Sequence, residues 1–169
     1  MKSSKTIVIT GFMGCGKSEV ASRLAVCLNQ SFTDLDELIT TTTGRTPAQL
    51  IREEGERAFR AIETEVLREL LDNEPGVVAL GGGAWIEEVN RDLIQTKEAV
   101  TVWLDTPFEL CWERIAASSE DRPLGSTREQ ASARYEQRRP VYQLANITIT
   151  VDAQDDPELI GQRIIDLLG

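Results

Sequence analysis

The segment from Gly11 to Ser18 reads GFMGCGKS and fits the spacing G-x-x-x-x-G-K-[S/T]. In this pattern glycines let the backbone curl with its amides inward, and the positive end of the next helix completes a nest for anionic oxygens. Lys17 would reach the outer phosphates of a nucleotide, and the Ser18 hydroxyl would ligate magnesium. An apolar run from Ile7 to Thr10 precedes the motif, and a helical pattern from Lys17 to about Leu28 follows it. These flanks favour a phosphate-binding loop over a glycine-rich turn that only caps a helix.

Two carboxylates follow the second apolar run, in the sequence Asp34-Leu35-Asp36. In an extended chain a spacing of two puts both side chains on the same side, one toward a metal and one toward a substrate hydroxyl. The chain contains no histidine, so a general base near neutral pH must be another side-chain type, and Asp36 is the candidate. An Asp pair is also common as a helix cap, and the motif alone leaves that alternative open.

Three successive glycines, Gly81 to Gly83, follow the third apolar run. Without side chains they would let the backbone approach a ligand closely, although a purely structural bend is the alternative. Arginines are the natural bidentate clamps for a substrate carboxylate, and Arg60 and Arg138 are available, with Arg139 as the alternative to Arg138. Arg60 could instead form an exposed ion pair, because acidic residues lie three and four positions away on the same helix.

Residues 116–127 are small and polar, contain glycine and proline, and break the helical pattern. They predict a mobile lid, with an ordinary surface loop as the alternative. Arg122 within it would close over ATP and stabilise transition-state charge. Ser126 and Glu129 predict a capping box at the start of the next helix.

Apolar strand-like runs alternate with helical patterns along the chain, which predicts a three-layer α/β/α fold around a five-stranded parallel sheet. Ligands bind such sheets outside the carboxyl ends of the strands. The predicted strands are residues 7–10, 31–34, 77–80, 100–104 and 147–151. After the fourth strand, Asp105 or Thr106 is expected to cap a helix with Pro107 at its first position. A last helix is predicted from Asp156 and Pro157, and no linker divides the single domain expected over residues 1–169.

Composition narrows the class of protein. Lys and Arg number 18 and Asp and Glu number 28, for a net charge of −10, which argues against a nucleic-acid partner because phosphate backbones demand a basic face. No apolar run approaches membrane-spanning length, and no signal-peptide core is present near Met1. Three cysteines without C-x-x-C spacing suit a reducing compartment. We therefore expect a cytoplasmic monomer without membrane partners; a redox role for Cys15 is a minor alternative.

Together these motifs resemble the shikimate kinase family over essentially the whole chain. The resemblance rests on six segments in order. They are the phosphate loop 11–18, Asp34-Leu35-Asp36, residues 55–63, residues 81–84, Arg122-Pro123-Leu124 and residues 138–142.

The resemblance implies a nucleoside-monophosphate-kinase-like fold and an ATP-dependent transferase that phosphorylates the 3-hydroxyl of shikimate, a step of aromatic amino-acid biosynthesis. It implies that Asp36 contacts the reacting hydroxyl, that Asp34 and Ser18 lie at the magnesium, and that Arg114 lies against the adenine. Three residues carry catalysis in this interpretation: Asp36, Lys17 and Arg122. Four hold shikimate: Asp36, Arg60, Gly82 through its backbone, and Arg138. The remaining set binds ATP: Gly14, Cys15, Gly16, Lys17, Ser18, Glu19, Arg114 and Arg122.

Two rival functions remain at this point. One is another small-molecule kinase with the same loop, for gluconate or a nucleoside monophosphate. The other is a catalytically silent relative that only binds a nucleotide or a partner. Arg60 and Arg138 around Asp36 argue for a compact hydroxy-acid substrate, and retention of the reacting-site residues argues against a silent protein.

Overall fold

Parallel pairing of buried, mostly β-branched strands organises the protein, and its computed structural model describes residues 5–118 and 127–169. Strand β1 (Ile7–Thr10) is buried along its length and pairs with β3 (Val77–Ala79) and with β4 (Val100–Asp105). Strands β2 (Phe32–Asp34) and β5 (Ile147–Thr150) form the partly exposed edges of the order β2-β3-β1-β4-β5. All pairs are parallel, and helices cover both faces. The predicted three-layer fold is confirmed.

Eight α-helices and one short 3₁₀ helix connect these strands within the described residues. They are α1 (Lys17–Leu28), α2 (Leu35–Thr43), α3 (Pro47–Glu54), α4 (Glu56–Asp72), the 3₁₀ helix (Ala84–Ile86), α5 (Glu88–Thr96), α6 (Phe108–Ala117), α7 (Arg128–Tyr142) and α8 (Pro157–Leu168). Helix α1 packs against α8, and α4 packs against α2, α3 and α5.

The register of the sheet brings the ends of three strands to one edge. Ile9 of β1 and Asp34 of β2 both pair with Ala79 of β3. The chain leaves this edge as the phosphate loop after β1, as α2 after β2, and as Leu80 to Gly83 after β3. The motifs singled out in the sequence therefore meet outside the carboxyl ends of neighbouring strands, where parallel sheets bind ligands.

Local signals fix two helices as predicted. Gly16 precedes α1 with φ of 95°, a conformation that favours glycine. Asp156 caps α8 by accepting a 2.7 Å hydrogen bond from the amide of Leu159, and Pro157 is the first helical residue.

Two predicted helix starts are wrong. Helix α6 has Pro107 at its N-cap and begins at Phe108, while Asp105 accepts a 3.2 Å hydrogen bond from Arg139 instead of capping the helix. Helix α7 is capped by Thr127, whose hydroxyl accepts from the amide of Gln130, so the predicted Ser126 and Glu129 box does not start it. At α6, Asp105 is engaged by Arg139 and the Thr106 hydroxyl donates to the carbonyl of Cys15, and at α7 the hydroxyl of Thr127 takes the cap.

The predicted lid at 116–127 overlaps α6, which continues through Ala117. Residues 119–126, including Arg122, lie outside the described residues, so the lid and its arginine remain predictions. No helix among residues 5–118 and 127–169 is long and apolar enough to cross a bilayer.

Candidate active site

The phosphate loop wraps around the start of α1. Its turn is closed by a 3.1 Å hydrogen bond from the amide of Cys15 to the carbonyl of Phe12. Gly14 has φ of 76°, and a Cβ there would lie 2.7 Å from the carbonyl oxygen of Cys111, so only glycine fits. The first amides of a helix have no intrahelical acceptor. The amides of Lys17, Ser18 and Glu19 in the first turn of α1 are therefore suited to anionic oxygens.

Lys17 is buried and folds back onto the loop. Its Nζ donates to the carbonyl oxygens of Gly11 at 2.9 Å and Phe12 at 3.0 Å. Cys15, also buried, places its Sγ 3.9 Å from the same Nζ. The ammonium group is thus held at the floor of the loop by two acceptors, and it lines the cleft where phosphates would lie.

Ser18 and Asp34 form the oxygen pair expected of a magnesium site. The hydroxyl of Ser18 donates to Oδ2 of Asp34 in a very short contact. The other carboxylate oxygen, Oδ1, accepts the amides of Asp36 at 2.9 Å and Glu37 at 3.2 Å and so caps α2. Magnesium prefers oxygen ligands and is commonly held by one or two protein groups together with substrate phosphates. The donor set therefore fits this ion.

Asp36 lies in the first turn of α2, not on an extended strand as its spacing had predicted. Asp34 as the N-cap turns the chain into a helix immediately, so the alternative of a helix cap is correct for Asp34. Both carboxylates still line one cleft. Asp36 packs against Gly81, where a Cβ would lie 2.6 Å from its Oδ1, and the missing side chain of Gly81 makes room for the carboxylate.

Arg60 faces the same glycine segment from α4. Its Nη1 donates to Oε1 of Glu63 at 2.8 Å, and its Nη2 lies 3.6 Å from Oε1 of Glu56. The side chain of Arg60 is 14% exposed and that of Glu63 only 1%, so the alternative of an exposed ion pair is wrong for the pair with Glu63. A Cβ on Gly83 would overlap the Arg60 guanidinium. Burial raises the pKa of Glu63 to about 7 against the opposing attraction of Arg60.

Arg138 and Arg139 point to different partners. Nη1 of Arg138 donates to the carbonyl oxygen of Gly82 at 3.2 Å, and that oxygen also accepts from the Tyr142 hydroxyl at 2.7 Å. Arg139 instead lies over the ring of Trp103, with 5.4 Å to the ring centroid, and donates to Asp105. Arg138 is therefore the arginine of this pair that adjoins the glycine segment.

Arg114 reaches the phosphate loop from α6. Its Nη1 donates to the carbonyl oxygen of Gly14 at 3.2 Å. The cleft beside it measures about 630 Å³. It is lined by most residues predicted to bind nucleotide, namely Gly14, Cys15, Gly16, Lys17, Ser18, Glu19 and Arg114. The described residues contain no cluster of three or more His, Cys, Asp or Glu side chains that would cage a metal.

Sequence reasoning missed two supports of this site. Glu63 was considered only as a surface partner of Arg60, although it is the buried group that orients Arg60. Tyr142 lies in the segment 138–142 but was assigned no role of its own, although its hydroxyl donates to the carbonyl of Gly82. Burial raises the pKa of Tyr142, so this hydroxyl stays protonated and donates. An acidic residue on the apolar face of α4, beside Phe59 and Val66, was the available signal for Glu63.

The sequence and the fold are similar to those of known shikimate kinases. The family model for shikimate kinase matches residues 13–168. The shikimate kinase of Synechococcus elongatus is 36% identical over 165 residues, covering 96% of this chain and 85% of that protein. The shikimate kinase of Cereibacter sphaeroides is 40% identical over 148 residues, covering 86% and 73%. A solved structure of shikimate kinase from Acinetobacter baumannii in complex with shikimate matches with a TM-score of 0.91 and 33% identity, covering 98% of this chain and 93% of that one.

Proposed function

Because this chain belongs to the shikimate kinase family, we propose that it transfers the γ-phosphate of ATP to the 3-hydroxyl of shikimate. The products are ADP and shikimate 3-phosphate, in the pathway to chorismate and the aromatic amino acids. One observation carries the proposal. Asp36, Arg60 and Arg138 come from three different helices and converge on Gly81 to Gly83, directly beside the phosphate loop.

The nucleotide side of the site follows from the loop. The β- and γ-phosphates lie against the first amides of α1 and the ammonium of Lys17, which exchanges its carbonyl partners for phosphate oxygens. Ser18 and Asp34 would hold magnesium, which, when bound, screens the phosphate charges. Arg114, beside Gly14, lies against the adenine. Arg122 remains the proposed lid arginine over ATP.

The acceptor side holds a planar acid. Arg60 and Arg138 supply guanidinium groups that match a carboxylate in a bidentate manner. Neither can swing freely, since Glu63 holds Arg60 and the Gly82 carbonyl holds Arg138. Fixed donors of this kind reduce the entropy that binding must overcome, and they orient the ring of the substrate relative to Asp36.

Asp36 is proposed as the proton acceptor. The 3-hydroxyl oxygen forms a bond to the γ-phosphorus while the bond from that phosphorus to the bridging oxygen of ADP breaks. The hydroxyl proton passes to the Asp36 carboxylate. Most of the rate enhancement in phosphoryl transfer comes from alignment and charge stabilisation. Lys17 and Arg122 are proposed to stabilise the charge, and Asp36 adds general-base catalysis. The proposed setting is a cytoplasmic monomer.

Purified protein incubated with ATP, magnesium and shikimate should release ADP and form a phosphate monoester visible by ³¹P NMR. Gluconate and nucleoside monophosphates in parallel reactions should give no ADP above the rate without acceptor. Lys17→Ala serves as the control for contaminating kinases, because it removes the phosphate-loop ammonium. ADP release with gluconate but not with shikimate would assign the protein to the rival kinase class, and release with neither would favour a silent relative.

A further inference from the structure

Arg134 lies one helical turn before Arg138 on α7. Residues four apart on a helix lie on the same face, so Arg134 shares the face that carries Arg138 toward the glycine segment. Its Nη1 is buried and has no hydrogen-bond partner among residues 5–118 and 127–169. A buried donor without an acceptor costs about 1–3 kcal/mol, more when charged, so this buried guanidinium nitrogen calls for an explanation.

Within the described part of the chain, Arg134 lies near a second arginine and only one acidic group that acts on it, a balance of charge that suits an anion. Burial lowers its pKa, the positive charge of Arg138 lowers it further, and Glu56 of α4 has the opposite effect. Arg134 therefore lies within electrostatic range of both Arg138 and the first turn of α4, where Glu56 is also 3.6 Å from Arg60. Glu56 is half exposed and is shared with Arg60, so the acid that acts on Arg134 is partly screened by solvent and also engaged by a second guanidinium.

We propose that Arg134 is a further substrate-binding residue that takes the shikimate carboxylate together with Arg138. An incoming carboxylate accepts from the unpartnered Nη1 and relieves the repulsion between the two arginines on α7. Its planar oxygens suit guanidinium donors from successive turns of one helix. Arg60, held by Glu63, then faces the opposite side of the ligand. This inference rests on the proposed function, because it concerns the same acid.

Calorimetric titration without nucleotide tests the inference with shikimate and with its methyl ester, which lacks the charged carboxylate. Arg134→Met should weaken shikimate binding about tenfold or more and leave the affinity for the ester within about twofold of wild type. Arg134→Lys should lie between, because it keeps the charge but not the fork. Arg68→Met, which removes an exposed arginine of α4, is the matched control and should bind like wild type.

Two further readouts keep the test decisive if Arg134→Met folds poorly. Replacing the half-buried Arg134, whose Nη1 lacks an acceptor, by methionine should leave Tm equal or higher, while the rise in Tm that shikimate induces should shrink. In wild-type protein, the NMR signal of the Arg134 Nε–H group should shift on addition of shikimate and not on addition of the ester. Unchanged affinity of Arg134→Met for shikimate, equal weakening for the ester, or an unmoved Arg134 signal overturns the inference. If wild type itself fails to bind shikimate, it is the proposed function that fails.

Discussion

Arg60 donates from Nη1 to Oε1 of Glu63 at 2.8 Å, and the two side chains meet one turn apart at the inner face of α4. Glu63 is buried, and the guanidinium of Arg60 lies against Gly83. A buried carboxylate thus fixes the direction of a guanidinium that projects into the acceptor site. Removing one partner of such a pair leaves an uncompensated charge, so Glu63 links the stability of the core to the geometry of the site.

Glu63→Gln should change how stability depends on pH. Burial raises the pKa of Glu63 from its ordinary 4.5 to about 7, so the native state binds this proton more tightly than the unfolded chain. The resulting stabilisation is complete below about pH 4.5 and is lost as the pH rises through about 7. Relative to Glu63→Gln, wild type should therefore lose up to about 3 kcal/mol in free energy of unfolding between pH 5 and 8. Urea denaturation across this range measures it.

Glu65→Gln is the control for that pH series, because Glu65 lies on the same helix with its side chain 62% exposed. Its curve should run parallel to wild type. A Glu63→Gln curve that also runs parallel to wild type would mean that Glu63 keeps an ordinary pKa in the folded protein.

Structural features that depend on local sequence were predictable, whereas features that depend on tertiary packing were not. The loop from Gly11 to Ser18 was predictable, because its glycines and lysine act through backbone and local geometry. The strands were predictable from buried β-branched runs. Asp36 was placed on the wrong element, because Asp34 can end a strand and cap a helix equally well, and only tertiary context decides. Adjacent arginines 138 and 139 point about 100° apart on a helix, and the packing of Gly82 and Asp105 determines their roles.

Arg138→Ala and Arg139→Ala should separate binding from stability. Arg138→Ala removes a guanidinium beside Gly82 and should raise the KM for shikimate about tenfold or more, with kcat less affected. Arg139→Ala removes the hydrogen bond to Asp105 and the contact with the Trp103 ring. It should cost about 1–2 kcal/mol of stability and leave the shikimate KM nearly unchanged. Steady-state kinetics and thermal denaturation of both variants measure this, and reversed phenotypes would exchange the two roles.

Gly83→Ala should weaken substrate binding without unfolding the protein. The added Cβ would overlap the Arg60 guanidinium, so this group must leave its position at the site and strain its ion pair with Glu63. We expect a several-fold rise in shikimate KM, an unchanged ATP KM, and a drop in stability below about 2 kcal/mol. Gly161→Ala is the matched control, since its nearest neighbour would be 3.8 Å from the new Cβ, and a helical alanine should stabilise α8 slightly. An unaltered shikimate KM in Gly83→Ala would show that Arg60 does not need its present position.

Asp36→Asn should abolish most turnover while leaving nucleotide binding intact. The amide keeps the shape and the place beside Gly81 but cannot accept the hydroxyl proton, and general-base contributions are typically 10²–10⁴-fold. The proposed ATP contacts are made by the loop amides, Lys17 and Ser18 and not by this side chain, so the dissociation constant for ATP should stay within about twofold. Glu37→Gln is the control, since Glu37 is the next residue of α2 and lines the same cleft. It should retain near-normal kcat. If Asp36→Asn instead keeps more than about a tenth of wild-type kcat, the proton is accepted elsewhere and Asp36 only positions the substrate.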